Sequence, residues 1–262
     1  MAQDGDYIVT FHRVYPAAPL PMKADSSALG IMPTAAYQYC EAMRSASAFG
    51  WYIFPPVDIY LKWNGYEILY LAPDDTWQTF VGVHFGEEFQ DYWREYAPED
   101  LKDHVPPYLT TLPVPGIVQV WSGLFIGTAP GWSVLIRPPV NLQQGGSFQC
   151  YEGMVETDEF KPVPLFVNIR LFATDHVIVM NHAVPLFQVQ PISRACYAAR
   201  TLKERLFDGI RPRLDDVAGM SREDWDGFRR TTRKSDVTLD EHRGGEYGAK
   251  VRRRARHDDE PS

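Results

Sequence analysis

The residues best equipped for chemistry are carboxylates. Glu156 and Asp158 stand two apart in Gly153-Met154-Val155-Glu156-Thr157-Asp158. On an extended segment that spacing sends both side chains to one face. Two close carboxylates there can split their pKa values as an acid/base pair or hold a cation; an acidic surface turn accounts for the same residues. Asp58 lies between Val57 and Ile59 in an otherwise apolar and aromatic run. Facing inward it needs a partner, for which Arg137 or a histidine is the candidate; the alternative is an outward-facing strand acid. Glu156, Asp158 and Asp58 are the candidate catalytic residues.

Histidines offer a second chemistry. His176 and His182 would share a face on one strand, and with a carboxylate they would form a facial triad for iron or another divalent metal. Against that, Met180-Asn181-His182-Ala183 reads as a turn and there is no His-x-His pair. His84, beside Glu87 and Glu88, is equally open. A divalent metal at His84, His176 or His182 is carried as an expectation beside ordinary turn and edge histidines. GxGxxG, Walker, GxSxG and HExxH patterns are missing from the sequence, and Gly145-Gly146 reads as a hairpin turn.

The elements that must position these groups are mostly strands. Tyr7–Val14 reads as a short strand, followed by a loop carrying Pro16, Pro19 and Pro21. Pro33 at a first turn, with Ala36, Tyr39/Cys40 and Met43 at helical spacing, predicts one helix closed by Gly50, with Cys40 as a small core residue. Trp51–Phe54 and Val57–Trp63 are strand-like, and Asn64-Gly65 predicts a type I′ hairpin into Tyr66–Leu71. Thr79–Phe85 adds a further strand. The segment Gly86–Pro115 reads as an insertion with a short helix at Glu87–Tyr96, either a binding loop or a surface excursion packed by its own aromatics.

Ile117–Ile126, Trp132–Pro138 and Pro164–Ile192 form the β-patterned centre. Beyond it, Arg194–Phe207 has helical spacing, and Ser221 with Asp224 predicts a capping box for a second helix. Residues 1–232 thus read as one β-rich domain with a helical C-terminal segment. Residues 233–262 read as a charged, disordered tail.

Composition narrows the function classes. The 262 residues are 45% hydrophobic and 13% aromatic, enough for a sizeable core. A net charge of −8 argues against a nucleic-acid binder, which needs an extended basic surface; the cluster Arg252-Arg253-Arg254-Ala255-Arg256 is local and followed by acids. Three cysteines without CxxC spacing argue against a disulfide framework. The polar, acidic amino terminus is unlike a signal peptide, and no apolar run approaches the roughly 18 residues that span a bilayer. No membrane association and a cytoplasmic location are expected.

The block Ala129-Pro130-Gly131-Trp132 through Arg137-Pro138-Pro139-Val140-Asn141 resembles an uncharacterised bacterial and phage family, domain of unknown function 6065. The likeness continues through Gly153–Asp158 and Ala183–Arg194, and Phe54–Ile59 resembles an upstream element of that family. No known activity comes with it. The motif order is also distantly similar to the dUTPase and dCTP-deaminase superfamily, which implies a β-clip fold and a homotrimer. That resemblance puts Arg137 in a phosphate-contacting segment, Glu156 at a water-activating acid and Gln188 on the closing strand. Pro138-Pro139 departs from its phosphate segment, because proline removes backbone donors.

The expected fold is mainly β, a β-clip or distorted barrel-like double layer with one inserted helix and C-terminal helices. The expected pocket joins Asp58, Glu156 and Asp158 to substrate-binding Arg137, Asn168 and Gln188, walled by Trp51, Trp121 and Trp132. The leading function is a tailoring or metabolite-processing enzyme acting on a small-molecule or peptide ligand. A non-catalytic binding or assembly protein is the alternative; a nucleotide pyrophosphatase, a deaminase and a metal oxygenase stand behind it.

Overall fold

A computed structural model describes residues 7–143, 145–197 and 221–231, with Val251, Arg253 and Arg254. These residues group into two compact units. One takes the chain up to Ala24 and then Gly50–Cys196; the other takes Asp25–Phe49 and the described residues from Tyr197 onward.

The larger unit is mainly β, with antiparallel pairing throughout its described strands. It is organised on β9 (Ile117–Thr128). Alternation along β9 sends Val118, Val120, Leu124 and Ile126 into the core, each at most 1% exposed, while Trp121 and Phe125 go to the opposite face. β13 (Val163–Leu171) pairs with β9 and turns Leu165, Val167, Ile169 and Leu171 the same way. β1 (Val9–Arg13), β7 (Gly82–Val83), β8 (Leu109–Thr111) and β11 (Phe148–Cys150) complete this sheet. Fully burying one such aliphatic side chain contributes about 1.5–3 kcal/mol, so these two strands dominate the core.

A second sheet runs in the order β12 (Gly153–Val155), β10 (Trp132–Arg137), β15 (Phe187–Ser193), β3 (Trp51–Ile53), β2 (Met22–Lys23). Gly50 lets this sheet close up. Its φ is +96°, and an added Cβ would lie 2.0 Å from the Val189 carbonyl oxygen, so a side chain there would collide with backbone. The third sheet contains β14 (Val177–Met180), β4 (Ile59–Trp63), β5 (Ile68–Leu71) and β6 (Trp77–Thr79). The result is a double-layered β fold, and among the described residues none of the three sheets closes into a barrel. No helix among them is long and apolar enough to cross a membrane.

Local readings hold in part. The helix expected at Glu87–Tyr96 spans those residues; it is labelled α3 below. The hairpin at Asn64-Gly65 forms, but as a four-residue loop in which the Asn64 side-chain oxygen accepts from the Tyr66 and Glu67 N–H groups. Gly65 supplies the positive φ there, so the type I′ expectation is corrected to an Asx-type turn.

In the smaller unit, the single early helix is two: α1 (Thr34–Tyr39) and α2 (Glu41–Ala48). They are interrupted at Cys40, where φ −109° and ψ 89° leave the helical region. The apolar spacing continues across the break, which is why periodicity alone does not reveal it. The capping box at Ser221 does form. Ser221 Oγ accepts from the Asp224 N–H at 3.2 Å, and Asp224 Oδ2 accepts from the Ser221 N–H at 2.7 Å, opening α4 (Arg222–Thr231). Of the helix expected at Arg194–Phe207, Arg194–Cys196 is a 3-10 turn, and residues beyond 197 lie outside the described part. The expected tail lies outside it too, apart from Val251, Arg253 and Arg254.

Candidate functional site

The acidic stretch after β12 is a turn. The Glu159 and Phe160 N–H groups both donate to the Glu156 carbonyl, so the shared-face argument for Glu156 and Asp158 gives way to a compact bend. Arg194, at the end of β15, bonds to Asp158, lies 3.0 Å from Glu159 Oε1 and 4.0 Å from Glu156 Oε2. The second Asp158 oxygen accepts from the Gly131 N–H at 2.8 Å. The Asp158 side chain is 5% exposed. Burial pushes its carboxyl up, but the Gly131 N–H and the Arg194 guanidinium outweigh burial and hold it below the usual carboxylate range. Beneath, the Thr128 and Thr157 hydroxyls bond to each other at 2.7 Å. Both Asp158 oxygens thus take part in a clasp between two strand ends and a turn.

Asp58, just before β4, meets His182 in the turn after β14. One carboxylate oxygen accepts from the His182 backbone N–H and faces its ring Nδ1, each at 2.8 Å. The backbone hydrogen bond, followed by the ring contact, lowers the Asp58 pKa. Asn181 Oδ1 accepts from the Ala183 N–H, so this turn is tied by side chains at both its acid and amide ends. A proton on Nδ1 directed at Asp58 would leave the lone pair on Nε2 of this exposed ring. An imidazole oriented by a carboxylate is suited to proton transfer.

The remaining expected pocket residues do not converge. Arg137 pairs with Glu152 at 3.2 Å, and the buried Gln188 accepts from the Val140 N–H at 2.8 Å. These two face each other across β10 and β15, whereas Glu156 and Asp158 sit at the Trp132 end, roughly 17 Å along β10 at strand rise. Asn168 belongs to the sheet built on β9, where it accepts from its cross-strand neighbour Gln119. Trp121 is buried and donates its indole N–H to the Leu124 carbonyl, while Trp51 packs edge-on against Phe11. Trp132 opens β10 opposite Ser193. The single pocket expected from these residues is therefore corrected to several separate contacts. His84 lies between β7 and α3, and His176 in the turn before β14. Among the described residues no three His, Cys, Asp or Glu side chains group as metal ligands.

No protein-family model matches the chain, and no curated protein sequence matches it. Geometry therefore has to carry the functional argument.

An aromatic cleft lies elsewhere, beside α3. Phe89 and Trp93, four apart, turn toward the sheet, and Phe89 packs with Phe85 and Trp121. Tyr15 stacks on Phe85 with centroids 3.8 Å apart and 14° between planes, and Phe85 also stacks on Tyr108. Burial pushes the Tyr108 phenol up to about 12, which keeps it neutral inside the cluster. A further glycine shapes the approach: Gly123 has φ +76°, and a Cβ there would come within 2.9 Å of the Tyr15 Cβ. The Gly123 carbonyl accepts from both Val14 and Tyr15 N–H groups and so holds Tyr15 in place. Over this floor opens a cleft of about 240 Å³ lined by Tyr15, Pro16, Ala17, Gly86, Glu88, Phe89 and Tyr92.

Glu88 is the one acid in that lining. It is exposed, and it has no hydrogen-bond or ion-pair partner among the described residues. Its place in the first turn of α3 suits a carboxylate, because the helix N-terminus favours negative charge. The signal in the sequence was the insertion itself. Phe85, Phe89, Trp93 and Tyr108 concentrate aromatic rings in a segment otherwise polar, but nothing local says that Tyr15 returns to stack on them.

Proposed function

We propose that this protein is a binding module whose working surface is the aromatic cleft beside α3, and that its small-molecule or peptide ligand carries a cation. One observation carries the reading: an unneutralised carboxylate, Glu88, stands on the rim of a cleft walled by Tyr15, Phe89 and Tyr92. Aromatic faces attract a cation within about 6 Å of the ring centre, and a nearby carboxylate adds direct charge complementarity. The cleft's volume suits a single side chain or a small amine. This keeps the aromatic-walled acidic pocket expected from the sequence but assigns it to different residues.

The test is a fluorescence titration, using the indoles packed near the cleft, with Nα-acetyl-arginine amide and with its uncharged counterpart, Nα-acetyl-citrulline amide. The arginine probe should bind and the citrulline probe should bind much more weakly. Glu88→Gln should erase the difference. Equal binding of both probes to the native protein would defeat the proposal.

A catalytic reading rests on Asp58 and His182 instead. What supports it is the carboxylate facing Nδ1 of an exposed imidazole. Asp58→Asn should then abolish turnover of any substrate found. Neither residue lines the cleft beside α3, where a carboxylate meets aromatic walls, and for that reason binding is placed first. Trimeric assembly of β-clip type belongs to the same binding reading; native mass spectrometry decides it by subunit number.

A further inference from the structure

A second cleft, of about 380 Å³, opens where β1 pairs with the end of β9. It is lined by Tyr7, Thr10, His12, Lys161 and the Pro130 and Pro162 rings, over a floor of Gly127–Ala129. No carboxylate lines it among the described residues. Its character is thus the reverse of the cleft beside α3.

The arrangement has local causes. Thr10 and His12 are two apart on β1 and so share a face, with Thr10 paired to Gly127 and His12 to Phe125. Gly127 has no side chain to fill the space. A Cβ there would lie 3.3 Å from the Lys161 Cβ and 4.0 Å from its Cδ, so the aliphatic stem of Lys161 runs directly over the glycine. The nearest acids in sequence do not claim the ammonium. Asp158 and Glu159 are held by Arg194, and Lys161 has no hydrogen-bond or ion-pair partner among the described residues. His12 and Thr10 have none either beyond the strand pairing. Arg194 thus draws the carboxylates of the acidic turn to itself, and none of them pairs with the neighbouring Lys161.

We propose that this cleft binds a small organic phosphate monoester. Lys161 supplies a point charge, which suits a phosphoryl group, while Thr10, Tyr7 and the His12 ring supply hydrogen bonds to its oxygens. The volume exceeds that of a bare phosphate. Pro130, Pro162 and the Tyr7 ring offer an apolar wall for the organic part of the ligand. The site is independent of the cation cleft and does not rest on it.

The experiment is calorimetric titration of the full chain with phenyl phosphate and, separately, with inorganic phosphate. Phenyl phosphate should bind saturably and more tightly than inorganic phosphate. Lys161→Met and His12→Ala should each weaken it by about tenfold, the size of a lost charge-assisted hydrogen bond. Both side chains are exposed, and unchanged thermal unfolding of the variants would confirm that the fold survives. Glu88→Gln should leave the affinity as it was. Absence of saturable binding overturns the proposal, as does binding that neither variant weakens. Equal affinity for inorganic phosphate overturns the assignment to an ester and leaves an adventitious anion only.

Discussion

Two acidic stretches of this molecule are handled in opposite ways. At Glu156–Glu159 three carboxylates gather on Arg194, and the most buried of them, Asp158, has both oxygens engaged. At the start of α3, Glu87 and Glu88 have no cationic partner among the described residues. The first pattern spends charge on joining strand ends. The second leaves charge at the edge of an aromatic cleft without a cationic partner among the described residues. The contrast teaches that acidity in a sequence identifies neither a site nor a clasp; the partner does.

The largest effect expected comes from the floor of the cleft. Phe89→Ala removes a ring that is 3% exposed and should cost about 3–4 kcal/mol, read as a lower urea midpoint, together with cation binding. Arg194→Met removes the cationic partner of Asp158 and should lower the urea midpoint by a smaller step, with the cation cleft unaffected. If Arg194→Met is neutral, the clasp is not structural and the contrast fails.

Acid should reveal the same asymmetry. Asp158 and Asp58 both have pKa values held below the ordinary carboxylate value, so the unfolded chain takes up their protons first. Their contribution is fully present above about pH 4 and is lost as pH falls through the depressed folded-state values. Urea midpoints measured down that range should fall less steeply for Asp158→Asn than for the native protein. Asp58→Asn should cost about 1 kcal/mol, because it weakens hydrogen bonds that hold an exposed turn. Smallest in stability is Glu88→Gln, within about 0.5 kcal/mol of native, although it should remove the preference for a charged ligand. A large loss of stability in that variant would place Glu88 among the structural carboxylates.

Much of the scaffold was legible because its causes are local. Strand patterning over Ile117–Ile126 anticipates β9, that over Pro164–Ile192 anticipates β13 to β15, and the short helix expected at Glu87–Tyr96 is α3. The limits of α3 and the Ser221–Asp224 box follow from residues within one turn of each other. The break at Cys40 escaped because apolar spacing persists through it. The candidate site was less legible. Asp58 does meet a histidine, but in an exposed turn rather than facing inward, and Arg137 lies with Glu152 instead.

By itself, then, the sequence determined a mainly β scaffold, a concentration of aromatic rings around α3, and the carboxylates available for chemistry. Tertiary structure decided their use. Asp158 and Arg194 are 36 residues apart, and Asp58 and His182 are 124 apart. Such pairings depend on strand register and on where each turn releases the chain, and no local propensity encodes either. Tyr15 reaches Phe85 for the same reason: Gly123 bends β9 and receives two backbone hydrogen bonds from the segment that carries the ring. Periodicity acts over a few residues, whereas charge pairing and cleft formation act across the fold, and so only the folded chain could tell a clasp from a site.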